Sequence, residues 1–357
     1  MLTEAQVINN ANDFAAVFLK ILDKEKRLIP FRWNKAQAHF QANRTWRDLI
    51  LKARQLGFST LIQGELFRRA VTGTRTTMTL AHDGDTTQKL RLMADRFYEH
   101  CRFGDIQPAR KYASASLTTY PEFDSTVSVA TAGNIEAGRG GTYTDFHGSE
   151  VAFWKDAERI IAGAMQGGNP DVVLESTPNG AQGFFYDKCM EALHGNSIWK
   201  LHFYPWWWDD GYRIHSVEGE GFTPTDEELV LCANVKRGGF VLSEPQLKWR
   251  REKIRELGRL FTQEYPEDVI NCFLTSGNSY FGDLTGVFTA PPDAKYIEGH
   301  EYIAGLDFGQ TDYTAMPVFD ATTKEQVDLL HVNKLEWAEQ RRRIKQVYDK
   351  WHLSSIL

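Results

Sequence analysis

Cysteine is scarce in this 357-residue chain, and the four that occur, Cys101, Cys189, Cys232 and Cys272, lie far apart with no C-x-x-C pair among them. Neither a disulfide framework nor a zinc knuckle is supported, and a reducing cytosol is the simplest home. Long hydrophobic runs are missing too. The most apolar helical stretch, residues 15–22, is too short and too interrupted to span a bilayer, and no signal-peptide cleavage pattern follows it. Positive charge is not in excess: the formal net charge is −6, so a nucleic-acid surface has to be a local patch and not a global basic field. Repeats and low-complexity tracts are also lacking.

What remains is the profile of a globular protein long enough for two domains. Between residues 47 and 205, short apolar runs alternate with helical stretches, the pattern of an α/β fold in which helices wrap a mostly parallel sheet. Strands are expected at 48–52, 76–81, 126–130, 143–148, 171–175 and 198–203, and helices at 60–70, 86–100 and 183–193. Thr225 and Ser243 read as N-caps of two further helices. The Gly-, Pro-, Ser- and Asp-rich run 271–300 reads as a linker. A second unit follows, with strands at 302–308, 315–319 and 327–331, a helix at 337–350 and the opening of another strand at 354–357. The expected division is 1–46, 47–270, 271–300 and 301–357. A Trp206-Trp207-Trp208 triplet reads as a packed or interface corner.

Ligands in such sheets sit beyond the carboxyl ends of the strands. There, after the strand ending at Lys52, stands Lys52-Ala-Arg-Gln-Leu-Gly57-Phe-Ser-Thr60. A standard phosphate loop reads G-x-x-x-x-G-K-[ST]. Here Gly57 is followed by Phe58, and Lys52 occupies the place of the first glycine. The turn at Gln55 to Gly57 and the helix start at Phe58, Ser59 and Thr60 would still aim backbone N–H groups at an anion. Ser59 takes the magnesium hydroxyl position, Lys52 approaches the β and γ phosphates from the loop's start, and Arg54 offers a second cation in cis. An ordinary strand–turn–helix would share several of these features.

A nucleotide hydrolase also needs a carboxylate to orient water. Glu150, in Ser149-Glu150 after the next acidic strand, fits that role. Ser149 stands where an aspartate usually holds magnesium. Ser176, Thr177, Pro178, Asn179 and Gly180 can sense a γ-phosphate and pass on its loss. Gln37, upstream of the loop, has an amide able to read both edges of an adenine.

Taken together and in this order, Gln37, KARQLGFST (52–60), AGRGGTY (137–143), HGSEVAFW (147–154), ESTPNG (175–180) and FTQEYPEDVINCFLTSGNSYF (261–281) resemble the large terminase subunit of tailed bacteriophages. The resemblance covers about residues 30–357. It implies a P-loop (ASCE-type) ATPase that drives double-stranded DNA into a preformed capsid, followed by an RNase H-like nuclease. It implies ATP and Mg2+ at the ATPase, and Mg2+ or Mn2+ at the nuclease. Portal protein, small terminase subunit and a homo-oligomeric ring on the portal are the implied partners, with a monomer possible in solution, no membrane, and the host cytoplasm as location. Carried over by residue, Lys52 is the displaced loop lysine, Arg54 the loop arginine, Ser59 the hydroxyl, Glu150 the catalytic glutamate and 176–180 the coupling motif. Ser149 departs from the aspartate common in the family. Arg139 matches an arginine–glycine pair that precedes the acidic strand.

Asp307 and Asp312, in Gly305-x-Asp307-x-Gly309-x-x-Asp312, resemble the first nuclease motif. Asp307 would bind both ions of a two-metal site, and Asp312 would be an outer or supporting ligand. RNase H-like topology would place the next carboxylate on the fourth strand, which begins near Leu353 while the chain ends at Leu357; the expectation is a truncated, incomplete nuclease domain inactive in this chain. Basic clusters at 341–345 and 248–255 read mainly as solvated helix faces. Two other readings stay open: a helicase-like ATPase outside packaging, and a degenerate nucleotide- or DNA-binding module without turnover.

Overall fold

The strand Arg47–Lys52 is buried at every position, which demands cover on both faces and so an interior place in a sheet. The computed structural model, which describes residues 4–103, 107–114, 116–133, 141–214, 221–274, 294–309, 313–333 and 335–357, puts it there. The chain divides into two compact units, residues 1–282 and 283–357.

The first unit opens with helices α1 (Glu4–Asn9) and α2 (Ala11–Phe18), a hairpin of β1 (Lys20–Leu22) and β2 (Leu28–Pro30), and α3 (Lys35–Asn43). Its sheet consists of β3 (Arg47–Lys52), β4 (Thr76–Ala81), β5 (Lys111–Ser114), β6 (Leu117–Tyr120), β7 (Ser125–Thr131), β8 (Asp145–Ser149), β9 (Asp171–Ser176) and β10 (Lys200–Tyr204). Their spatial order is β10-β3-β9-β8-β4-β7-β6-β5. The first six run parallel, and β6 and β5 finish the sheet antiparallel. β9 therefore lies between the strand that feeds the loop at residues 53–57 and the strand that ends in Ser149.

Alternation along β3 sorts the core into two layers. Ile50 packs with α4 (Phe58–Ala70) and α5 (Gly84–His100) on one face, while Leu49 and Leu51 pack with α6 (Ala157–Met165) and α7 (Phe184–Leu193) on the other. The helical part that follows, α8 (Asp226–Arg237), α9 (Glu244–Leu257) and α10 (Phe261–Glu264), joins the first layer. Thr225 caps α8 through the Glu228 N–H, as its position suggested. The tryptophan triplet is a packed corner: Trp206 is fully buried against Trp249, and its Nε1–H donates to Glu267 at 2.8 Å.

The expected strands form within two residues, except that 302–308 is a strand only over Tyr302–Ala304, with Asp307 in an isolated bridge to Ala315. Elements not placed from the sequence include α3, α6, α10, the two strands of the β1–β2 hairpin and the two of the β5–β6 pair. The linker does not begin at residue 271, because Asn271–Leu274 form α11, whose Cys272 and Phe273 are buried in the second layer. Residues 275–293 and Arg139 lie outside the described residues.

The second unit is a four-stranded sheet in the order β13-β12-β11-β14, built from β11 (Tyr302–Ala304), β12 (Tyr313–Asp320), β13 (Glu325–Asn333) and β14 (Ser355–Ile356). Helix α12 (Trp337–Trp351) seals it with Trp351 over Tyr302, Met316 and Val318. β11 pairs antiparallel with β12 and parallel with β14.

The cysteines report on this packing. Burial pushes the Cys101 thiol up to about 12 and raises Cys189 and Cys272 as well, whereas Cys232 lies half-buried on α8. A thiol-specific reagent at pH 8 is expected to label Cys232 quickly and the other three only after unfolding. Fast labelling of all four in the native protein would contradict the two-layer core.

Candidate active site

Three loops meet beyond the carboxyl ends of β3, β8 and β9, and they bring one buried cation against two carboxylates. Lys52, the last residue of β3, is 5% exposed. Its Nζ lies 3.0 Å from Glu150 Oε1 and 3.0 Å from Glu175 Oε2. Burial pulls the ammonium pKa down, but the two carboxylates outweigh it and hold the group above the ordinary lysine range. Glu175 is wholly buried. Burial pushes its carboxyl up, yet Lys52, with help from His147 and Ser59, holds it well below the usual carboxylate range.

The second oxygen of Glu175 is equally committed. Oε1 accepts from Ser59 Oγ at 2.6 Å and from Ser149 Oγ at 2.9 Å, with His147 Nε2 at 3.4 Å. Glu150 follows β8 in the left-handed region, φ 55°, a conformation uncommon for a residue with a side chain. Its Oε2 accepts from the Thr177 N–H at 3.3 Å and Ser176 Oγ at 3.4 Å. Asn179 Nδ2 donates to Ala152 O just beyond, at 3.1 Å. The loop after β9 therefore touches Glu150 directly. Gly148, one residue before Ser149, admits no side chain: a Cβ there would lie 2.8 Å from Leu174 and Val151.

The loop itself is shaped by two left-handed residues, Gln55 at φ 58° and Gly57 at φ 77°. Gly57 caps α4 with no side-chain hydrogen bond, so the first-turn N–H groups of this 13-residue helix face outward, the arrangement that attracts phosphate. Phe58 contributes only its backbone; its ring packs on Phe40 and Tyr204. Ser59 and Thr60 are half-buried in the first turn of α4.

Both ends of the Gln37 amide, expected to read an adenine, are engaged within the protein. With Asn34 it forms the capping box of α3, and its Nε2 donates to Gly57 O at 2.7 Å while Asn34 Nδ2 donates to Leu56 O at 3.0 Å. Two side chains thus hold two loop carbonyls on the far side, leaving the N–H groups for an anion. The capping pattern was available in the sequence as Asn34-x-x-Gln37. Arg54 is 60% exposed and pairs with Glu264 at 2.7 Å. Its N–H also donates to Glu264 O, and Tyr212 OH donates to Arg54 O. Its guanidinium is at the rim, not among the buried charges.

Asp307 follows β11 and exchanges both backbone hydrogen bonds with Ala315; the residue is exposed. Asp312 lies outside the described residues. Among the described residues no group of three or more His, Cys, Asp or Glu side chains gathers as for a metal ion, and no helix is long and apolar enough to cross a membrane.

No family model matches the chain, and no curated protein matches its sequence. Its fold does have counterparts among solved structures. The crystal structure of the HK97 bacteriophage large terminase aligns over 99% of this chain and 80% of its own, with a TM-score of 0.55 at 15% identity. The chain has the fold of the phage large terminases. Two other terminases with looser likeness are a large terminase from a thermophilic bacteriophage, in complex with ADP, and the ATPase domain from Thermus phage P74-26. The first gives a TM-score of 0.43 at 11% identity over 88% of this chain and 74% of that one. The second gives 0.43 at 14% over 67% and 95%.

Glu175 is the site residue that sequence reading missed. It stands in the sequence as the first residue of ESTPNG with no role assigned; its pairing beside Ser149 in the β8–β9 ladder reveals it. Replacing Lys52 by Met is expected to destabilise the protein by about 3–5 kcal/mol, because it leaves buried carboxylate charge without a partner. In the wild type, the depressed Glu175 pKa contributes stability above the carboxylate range that is lost on acidification. In Lys52→Met the unpaired carboxylate is a penalty that protonation relieves, so the gap between the two melting curves should narrow as pH falls from 7 to 4. A gap that widens would refute the ion-pair account.

Proposed function

We propose that this chain is an ATP-hydrolysing motor subunit that drives double-stranded DNA into a viral procapsid. The observation that carries the reading is the buried Lys52 held between Glu150 and Glu175 beneath an uncapped helix start. A bound triphosphate offers Lys52 a stronger partner than Glu150. When the ammonium turns to the phosphates, the Glu150 carboxylate is released to orient and deprotonate water, the role of a water-positioning base. The base is thus kept in an ion pair until nucleotide arrives.

The donor set also suits a magnesium ion. One cation faces two carboxylates, and hydroxyls at Ser59 and Ser149 stand beside them, a hard-oxygen environment. A nucleotide-borne Mg2+ takes most of its ligands from phosphate and water, so the lack of a three-residue protein cluster among the described residues fits it. When bound, the ion would neutralise charge on the phosphates. Arg54, on the exposed rim, is available as the second cation once it leaves Glu264.

Coupling runs through Glu150. Ser176 and the Thr177 N–H already rest on its carboxylate, so a shift of that side chain on phosphate loss moves the 176–180 turn. We propose that the second unit carries part of an RNase H-like nuclease site, with Asp307 as a ligand for Mg2+ or Mn2+, and that this chain does not cut DNA. DNA, portal protein and small terminase subunit are the partners this reading implies, acting in the host cytoplasm.

Phosphate release from ATP with Mg2+, with and without duplex DNA, tests the reading. Glu150→Ala is expected to cut turnover by about 100-fold or more. Stimulation of the wild type by duplex DNA favours the translocase, and strand separation would favour a helicase. Nucleotide binding without turnover, even with portal added, would favour a non-hydrolysing module.

A further inference from the structure

We infer that Glu175, at the end of β9, supplies the carboxylate that phosphate-loop sites place beside the magnesium-binding hydroxyl, a task the motif pattern assigns to position 149 on β8. The inference rests on the nucleotide-site reading above and names the residue that makes that site competent for metal.

In nucleotide sites of this kind the loop hydroxyl and an acidic residue hold the ion together. Here the residue at the acidic position is Ser149, which is 1% exposed and whose hydroxyl donates to Glu175. The nearest carboxylate to Ser59 is Glu175, at 2.6 Å. β8 and β9 are parallel neighbours and pair Ser149 directly with Glu175, so the two positions look onto the same space. β9 is also one strand closer to β3 than β8 is, about 4.8 Å. A carboxylate can therefore move from β8 to β9 and still reach Ser59.

Three further features agree. Ser59 donates its hydroxyl hydrogen to Glu175, which turns the oxygen lone pairs of Ser59 away from the carboxylate and toward a cation. Glu175 Oε2 is buried and, apart from the ion pair with Lys52, has no hydrogen-bond partner. His147, whose Nδ1 lies 3.0 Å from Gln63 Nε2, brings its Nε2 to 3.4 Å from Glu175 Oε1, adding a polar neighbour without a hydrogen bond. An aspartate at 149 would place a second carboxylate beside Glu175 in the same buried ladder; serine there supplies a donor instead.

The experiment measures equilibrium binding of a fluorescent ATP analogue while Mg2+ is titrated, for the wild type, Glu175→Gln and the double variant Ser149→Asp with Glu175→Gln. Glutamine keeps the shape and an acceptor for Ser59 but removes the charge. The half-saturating Mg2+ concentration is expected to rise about 10- to 100-fold in Glu175→Gln, and to return toward the wild-type value when the carboxylate is restored on β8. Thermal melts of the same proteins separate this from a folding defect, since a merely structural role lowers the melting temperature without moving the Mg2+ dependence. Unchanged Mg2+ dependence in a folded Glu175→Gln overturns the inference and leaves the nucleotide-site reading intact. If Glu175→Gln does not fold, the double variant decides: wild-type Mg2+ dependence supports the relocation, and none overturns it. Failure of the wild type to bind the analogue at all removes the nucleotide-site reading, and this inference with it.

Discussion

Everything in the first unit that looks functional is organised by one buried arrangement, the ammonium of Lys52 shared by Glu150 and Glu175. Desolvating these charges is costly, and that cost is offset because the carboxylate oxygens that do not face Lys52, Glu175 Oε1 and Glu150 Oε2, are held by hydroxyls and a backbone N–H. The β3-β9-β8 strand order is the condition for this. It brings residues 52, 150 and 175, far apart in sequence, to the same end of three adjacent parallel strands. A different order would strand Glu175 in an apolar layer without a partner.

The unusual position of the lysine follows from the same geometry. A lysine just after Gly57 would sit in the first turn of α4, where Phe58 instead anchors the helix to Tyr204 and Phe40. Placed at the end of β3, the cation is delivered from a rigid strand, and the loop between them is free to be shaped by Gln55, Gly57 and the carbonyl clamp of Asn34 and Gln37. Rigidity of the loop thus comes from α3, a helix that precedes the sheet altogether.

Much of this was legible in the sequence. The strand positions followed from apolar runs, and Lys52, Ser59 and Glu150 from their spacing to Gly57 and to a strand end. Strand adjacency was not, because long-range pairing leaves no local signature, and Glu175 disappeared with it. Gln37 was noticed for its amide, yet its relation to Asn34 three residues earlier identifies a helix cap. Helix α6 has a clear amphipathic pattern in Ala157–Met165 that went unread. The β5–β6 pair is short and polar, and it forms because β7 offers it an edge.

The brace between the nucleotide loop and the helical part carries a mechanical meaning. Arg54 is fastened to Glu264 through both backbone and side chain, and Tyr212 closes on the Arg54 carbonyl, while Trp206 and Arg250 tie the neighbouring chain to Glu267. Displacement of these helices is therefore transmitted to the loop with little slack. Under the proposed motor reading, reciprocity requires that whatever nucleotide does to the helices, tension on the helices does to nucleotide affinity. On that reading the site is a strain gauge as well as an engine, and external load enters its chemistry through this brace.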